Sequence, residues 1–128
     1  MKKVLALIFS MLILAGCGAA PEAEPAFAQI TQEEAVELME TEEDYIILDV
    51  RRPDEYAGGH IKGAVNIPNE TIAEEEISQL PDKDQLILVY CRSGNRSKQA
   101  SEKLAKLGYT NIKEFGGINT WQGEIVTD

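Results

Sequence analysis

Gln85-Leu86-Ile87-Leu88-Val89-Tyr90-Cys91-Arg92-Ser93-Gly94-Asn95-Arg96-Ser97 is the stretch on which the fold of the 128-residue chain turns. Leu86 to Tyr90 is an unbroken apolar run, the pattern of a strand buried on both faces. The chain then leaves the strand through a loop and enters a helix predicted from about Arg96 to Leu107, with Gly108 placed as a C′ glycine. N–H groups left unpaired at a helix start favour an anion. Gly94 and Asn95 tolerate positive φ, so the loop can curl and aim several N–H groups at one point. Arg92 and Arg96 add positive charge. A thiol at Cys91 in that setting ionises more easily than free cysteine, whose pKa is about 8.5, and the thiolate is the nucleophile. A small buried hydrophobe at a strand end is the commoner fate of a lone cysteine. Two arginines and a glycine in the loop favour chemistry over that role.

Working outward, Tyr45-Ile46-Ile47-Leu48-Asp49-Val50 is a second buried-strand pattern. Thr31-Gln32-Glu33-Glu34 reads as a capping box, with Ile30 and Ala35 as a hydrophobic staple and Ala35, Val36, Leu38 and Met39 on one helical face. Ala64 to Ile67 reads as a short strand stopped by Pro68. Thr71-Ile72-Ala73-Glu74 reads as a second capping box, opening a helix that faces Ala73, Ile77 and Leu80 inward and ends at Pro81. Asn111 to Phe115 reads as a last strand, with Gly116-Gly117 beyond it. Alternating strand and helix patterns predict an α/β fold with a mainly parallel central sheet flanked by helices. In such sheets ligands bind beyond the carboxyl ends of the strands. Asp49 and Arg51 arrive there from one strand and Cys91 from another. Asp49 is expected to act as a buttress, while Arg51 is a candidate for substrate binding.

Composition narrows the function. There are 12 Lys and Arg against 22 Asp and Glu, a net charge of −10, which repels nucleic-acid phosphates. One histidine, His60, and two cysteines cannot build a Cys/His zinc site on their own, so no metal is expected. His60 is expected to be structural, since an already ionised nucleophile needs no base. Trp121 is expected to pack as core or lid. Glu42-Glu43-Asp44, Arg52 and Glu74-Glu75-Glu76 read as solvated surface.

Residues 1–16 read as an export signal: Lys2 and Lys3 precede an apolar run from Val4 to Ala15 that only Ser10 interrupts. The run is shorter than the ~20 residues that span a bilayer. Leu14-Ala15-Gly16-Cys17 resembles a bacterial lipobox, which implies cleavage before Cys17, a diacylglyceryl group on its sulfur and an acyl chain on its new N-terminus. One acyl chain anchors weakly, whereas several on one residue hold firmly. Ala26-Phe27-Ala28 offers a rival cleavage site that would release a soluble protein. Residues 17–29 then read as the lipidated cysteine and a flexible tether rich in Ala, Pro and Glu, and residues 30–128 as the domain. The domain would lie outside the cytoplasm, on the cell membrane or the outer membrane. With Cys17 lipidated, Cys91 has no partner in the chain and is a reactive or intermolecular thiol.

Several motifs in order resemble the single-domain rhodanese (thiosulfate sulfurtransferase) family over roughly residues 30–121. They are Ile47-Leu48-Asp49-Val50-Arg51, Glu55-Tyr56, Gly59-His60-Ile61-Lys62-Gly63-Ala64 with Asn66-Ile67-Pro68, the Cys91–Ser97 loop, and Gly116-Gly117 with Trp121. The resemblance implies a doubly wound fold and double displacement through a persulfide on Cys91, without metal or organic cofactor. Arg92, Ser93, Gly94, Asn95, Arg96, Ser97 and Arg51 would bind the donor, a small anion such as thiosulfate. The acceptor would be a thiol, cyanide or a protein cysteine. Ser101 stands where a second alanine is common, and the tail after Trp121 lacks the usual proline.

Three other readings compete. A cysteine phosphatase needs C-x₅-R, and here only four residues separate Cys91 from Arg96. No aspartate follows soon after as a general acid. A binding module that keeps the fold without turnover has no need of a cysteine in this loop. A disulfide-exchange function lacks a resolving cysteine.

Overall fold

In a computed structural model, residues 27–73 and 75–128 are described. The expected export signal, Cys17 and the expected tether up to residue 26 lie outside them. The described chain forms β1 (Ala28–Gln29), α1 (Gln32–Thr41), β2 (Tyr45–Asp49), α2 (Pro53–Ala57), β3 (His60–Ile61), β4 (Val65–Asn66), β5 (Leu86–Cys91), α3 (Asn95–Lys106), β6 (Ile112–Gly117) and β7 (Ile125–Val126). The main sheet has the order β1-β6-β5-β2-β4, and every pair in it is parallel. β3 and β7 make a separate antiparallel ribbon.

Strand β5 explains the apolar run from which the fold was read. Ile87, Val89 and Cys91 point into one core, with Leu48, Val50, Ala100, Leu104, Tyr109 and Ile112. Leu86, Leu88 and Tyr90 point into the other, with Ala35, Ile47, Ile61, Ala64 and Phe115. A strand covered on both sides has no polar face, so its sequence does not alternate. Helix α1 starts at the expected capping box: Thr31 Oγ1 accepts from the Glu34 N–H at 3.0 Å, and Glu34 Oε1 accepts from the Thr31 N–H at 2.9 Å. Ile30, Leu38 and Met39 pack beside buried Ala35, but Val36 is turned outward and 38% exposed. Gly108 carries φ +101° just past α3, the left-handed stop that glycine suits.

Two expectations are corrected. Ala28 and Gln29, expected in the tether, pair with Lys113 and Glu114 in the sheet. The helix expected from Thr71 to Leu80 is not formed among the described residues. A single 3₁₀ turn spans Asn69–Thr71, and irregular chain follows. The Thr71 hydroxyl donates back to the Pro68 carbonyl at 2.7 Å, so it is not used as a helix cap. Ile72 and Leu80 are buried, and Ala73 is exposed. Two apolar anchors at either end of the segment hold it without helical spacing.

Candidate active site

The loop after β5 closes around the sulfur of Cys91. Gly94 adopts φ +114°, a conformation that few side chains tolerate, and its N–H donates to Cys91 Sγ at 3.0 Å. Helix α3 begins at the next residue, so its free N–H groups open toward the same place. Ser97 Oγ lies 3.5 Å from Sγ. Burial pushes the Cys91 thiol up, but hydrogen bonds from Ser97 and from the backbone of Gly94 and Ser93 outweigh it and leave the thiol below its ordinary value. The residue is 1% exposed, so a reactant must reach the sulfur through the loop itself.

The expected site residues divide into two groups. Cys91, Ser93, Gly94 and Ser97 converge on the sulfur. Arg92 and Asn95 are exposed on the loop and at the helix start. Arg96 is half-buried, and its guanidinium holds Glu55 of α2 at 2.7 Å through Nη1 and 3.2 Å through Nη2. Hydrogen bonds from Arg96 hold the Glu55 carboxyl at about 2, against 4.5 ordinarily, with burial opposing them. Because folding lowers the Glu55 value, this pair adds stability in full above the ordinary carboxylate range and loses it only as the pH falls toward 2.

Arg51 stands apart from this group, as a buttress. It is 6% exposed, and its Nε and Nη2 grip both carboxylate oxygens of Asp49. Nη2 also donates to the Gly59 carbonyl at 2.6 Å. Asp49 is likewise buried, as expected of a buttress, and accepts from the Tyr90 hydroxyl at 2.7 Å. His60 is structural too: its ring stacks on Tyr56 with centroids 3.7 Å apart, and Nδ1 lies 2.9 Å from the Tyr56 carbonyl. Trp121 packs on Phe115 at 5.8 Å.

Strand β6 supplies what the sequence reading missed. Val89 pairs with Glu114, but Cys91 pairs with Gly117, so β6 carries one extra residue beside the site. Such bulges recur next to active sites. Gly116 takes φ +95° there, and its N–H donates to Glu114 Oε2 at 2.9 Å. Glu114 is 2% exposed and also accepts from Ser97 Oγ at 2.5 Å. One signal could have revealed it: Glu114 is two residues from buried Ile112, so strand alternation turns both to the α3 face.

Gly117 lets the loop lie against β6. A Cβ there would sit 2.0 Å from the Arg92 carbonyl oxygen and 2.6 Å from Ser93 Cα, both backbone atoms that cannot swing aside. Gly117→Ala is therefore expected to cost about 1–3 kcal/mol by overpacking. Urea unfolding should show the lower midpoint, and activity should fall with the displaced loop.

A family model described as a rhodanese-like domain matches residues 31–124. The chain belongs to the rhodanese-like family. It is 41% identical over 71 residues to the thiosulfate sulfurtransferase PspE of Escherichia coli, covering 56% of this chain and 68% of that protein. It is 34% identical over 97 residues to the thiosulfate sulfurtransferase GlpE of Pseudomonas entomophila, covering 75% and 85%. A solved E. coli rhodanese with anions superposes with a TM-score of 0.60 at 36% identity, covering 66% of this chain and 99% of that one. The chain is thus a rhodanese-type enzyme with the expected α/β fold.

Proposed function

We propose that this rhodanese carries sulfane sulfur on Cys91, from thiosulfate or a similar small anionic donor to a thiophilic acceptor. The observation that carries the reading is the ring of donors on a buried, acid-shifted sulfur: the Gly94 N–H at 3.0 Å, with Ser93 and Ser97 beside it. In the first step the Cys91 thiolate attacks the outer sulfur of thiosulfate. The bond between the two donor sulfurs breaks, and sulfite leaves with the electron pair. The terminal sulfur of the persulfide then lies in the donor ring, which stabilises its negative charge. In the second step cyanide, a thiol or a protein cysteine attacks that sulfur and restores the thiolate. Exposed Arg92 and the part of Arg96 not engaged by Glu55 attract the sulfonate end.

The loop length supports sulfur over phosphate, because a cup with four residues between cysteine and arginine is narrower than the five-residue loop of cysteine phosphatases. Steady-state kinetics test the reading. Varying thiosulfate against cyanide should give the parallel double-reciprocal lines of a double displacement. Intersecting lines would mean that donor and acceptor bind together and that no carrier is formed.

We also propose that the chain is exported and held on a bacterial membrane by lipid on Cys17. The support is the run of small residues before a cysteine at the end of the apolar segment. Cys17→Ser should move the protein from the membrane fraction to the soluble one. Unchanged fractionation would remove the anchor from the account.

A further inference from the structure

Arg96, at the start of α3 beside the Cys91 loop, is already paired. Its Nη1 and Nη2 donate to the two carboxylate oxygens of Glu55 at 2.7 and 3.2 Å, with the side chains 28% and 16% exposed. Glu55 is also held by its own helix, where its Oε1 accepts the Arg52 N–H at 3.0 Å at the start of α2. Arg52 gives its shorter side-chain contacts to Asp54, Nε and Nη2 each at 3.1 Å, and leaves Nη1 3.8 Å from Glu55. The hydrogen bonds to Glu55 hold the Arg96 guanidinium above its ordinary value against burial. The charges of Cys91 and Glu70 add to them, so this guanidinium stands in the field of the sulfur. A guanidinium has more N–H donors than one carboxylate can take, so Arg96 can meet an anion without releasing Glu55. Glu55 therefore removes net charge more than it removes donors.

We propose that Glu55 tunes which anions the site holds: its carboxylate cancels the Arg96 charge beside Cys91, so that an oxyanion meets hydrogen-bond donors without being trapped by a full ion pair. The incoming thiosulfate and the departing sulfite present the same oxygen-bearing end. A tight hold on that end would slow departure as much as it helped arrival, because binding shared by both states does not raise turnover. Sulfate, which has no sulfur to transfer, would occupy the loop for the same reason. Glu55 touches neither donor nor sulfur in this scheme. It is a positioning residue that acts through Arg96. The proposal rests on the reading of Cys91 as a sulfur carrier.

The test is protection of Cys91 by sulfate against iodoacetamide, on the full chain and followed on the peptide that contains Cys91. The pH is fixed, and chloride keeps the ionic strength constant. Cys91 is 1% exposed, so an anion seated at the loop blocks the reagent. The reagent is neutral, and the half-protecting sulfate concentration does not depend on the unprotected rate. Glu55→Gln keeps an oxygen for Arg96 and for the Arg52 N–H but loses the charge. Its half-protecting concentration should fall about three- to tenfold, the effect of removing one charge a few ångströms from a dianion in a largely aqueous setting. The KM for thiosulfate should fall with it, with no gain in kcat. Asp54→Asn makes the same charge change on the exposed partner of Arg52, and should leave the sulfate value within about twofold.

An unchanged or higher half-protecting concentration in folded Glu55→Gln would overturn the proposal, since cutting a tie that only steadied α2 against α3 would loosen the site. An equal fall in Asp54→Asn would overturn it too, because overall charge would then be the cause. If Glu55→Gln does not fold, Arg96→Gln and the double variant of both positions give the comparison without an ion pair to break. The double variant should bind sulfate more tightly than Arg96→Gln, and equal binding would overturn the proposal. Sulfur gained from thiosulfate is measured separately by mass. A wild type that gains sulfur while Glu55→Gln leaves sulfate protection unchanged has lost only the role of Glu55. A wild type that gains none has lost the sulfur-carrier reading, and this role with it.

Discussion

Cys91→Ser is expected to lower thiosulfate:cyanide turnover by at least about 10³-fold, because a serine hydroxyl is not ionised at neutral pH and cannot carry sulfur. The loss should fall on kcat, since Arg92, the backbone N–H groups and Arg96 all remain to attract the donor anion. The variant should fold. Serine differs from cysteine by one atom, and it meets the same Gly94 N–H and Ser97 hydroxyl that Cys91 meets. Thiocyanate formation measures the effect, with circular dichroism as the folding control. Turnover within tenfold of the wild type would mean that another group carries the sulfur.

The second large effect is on stability. Asp49→Ala should cost about 3–5 kcal/mol, because it leaves the Arg51 guanidinium buried without its counter-ion. Asp49 is fully buried and accepts from Arg51 Nε, Arg51 Nη2, the Arg51 N–H and the Tyr90 hydroxyl. The loss is a large part of the 5–15 kcal/mol that typically holds a domain together. Urea unfolding should show a much lower midpoint with little change in slope. Replacing both partners with apolar residues of similar volume should cost less than removing Asp49 alone, because no lone charge is then stranded. If the single and double variants unfold together, the stranded charge is not the cause. Sulfur chemistry should survive in whatever fraction of Asp49→Ala stays folded, since Arg51 faces Asp49 and Gly59.

The parts of this fold that could be read early are those with long, consistent patterns. Strand β5, its loop and α3 were legible because Leu86 to Tyr90 is too apolar for a surface strand, and because Gly94 sits where the loop must turn back. Strands β1, β3 and β7 span two residues each, too few to carry any periodicity. Thr71 to Glu74 shows how a local signal loses to a tertiary one: the capping pattern is present, but the Thr71 hydroxyl turns back to Pro68.

The site was legible in the same uneven way. Cys91, Gly94 and Ser97 are neighbours in sequence, and the loop alone brings them together. Glu55 and Glu114 come from other elements: nothing near Glu55 in sequence hints that it meets Arg96, and only the two-residue spacing from Ile112 hints that Glu114 faces α3. Arg51, two residues past the buried Asp49, was a candidate for donor binding from position alone. Its guanidinium turns to Asp49 and to the Gly59 carbonyl, and that second partner, eight residues on, is not visible in any local pattern.

Cys91 is expected to accept one sulfur atom from a small anionic donor. The most direct measurement is the mass of the purified protein after incubation with thiosulfate and removal of excess donor under non-reducing conditions. The wild type should be heavier by one sulfur atom, located on the peptide that contains Cys91, and cyanide should return it to its starting mass. An unchanged mass while thiosulfate is consumed, or a sulfur that stays on the Cys91→Ser variant, would contradict the account.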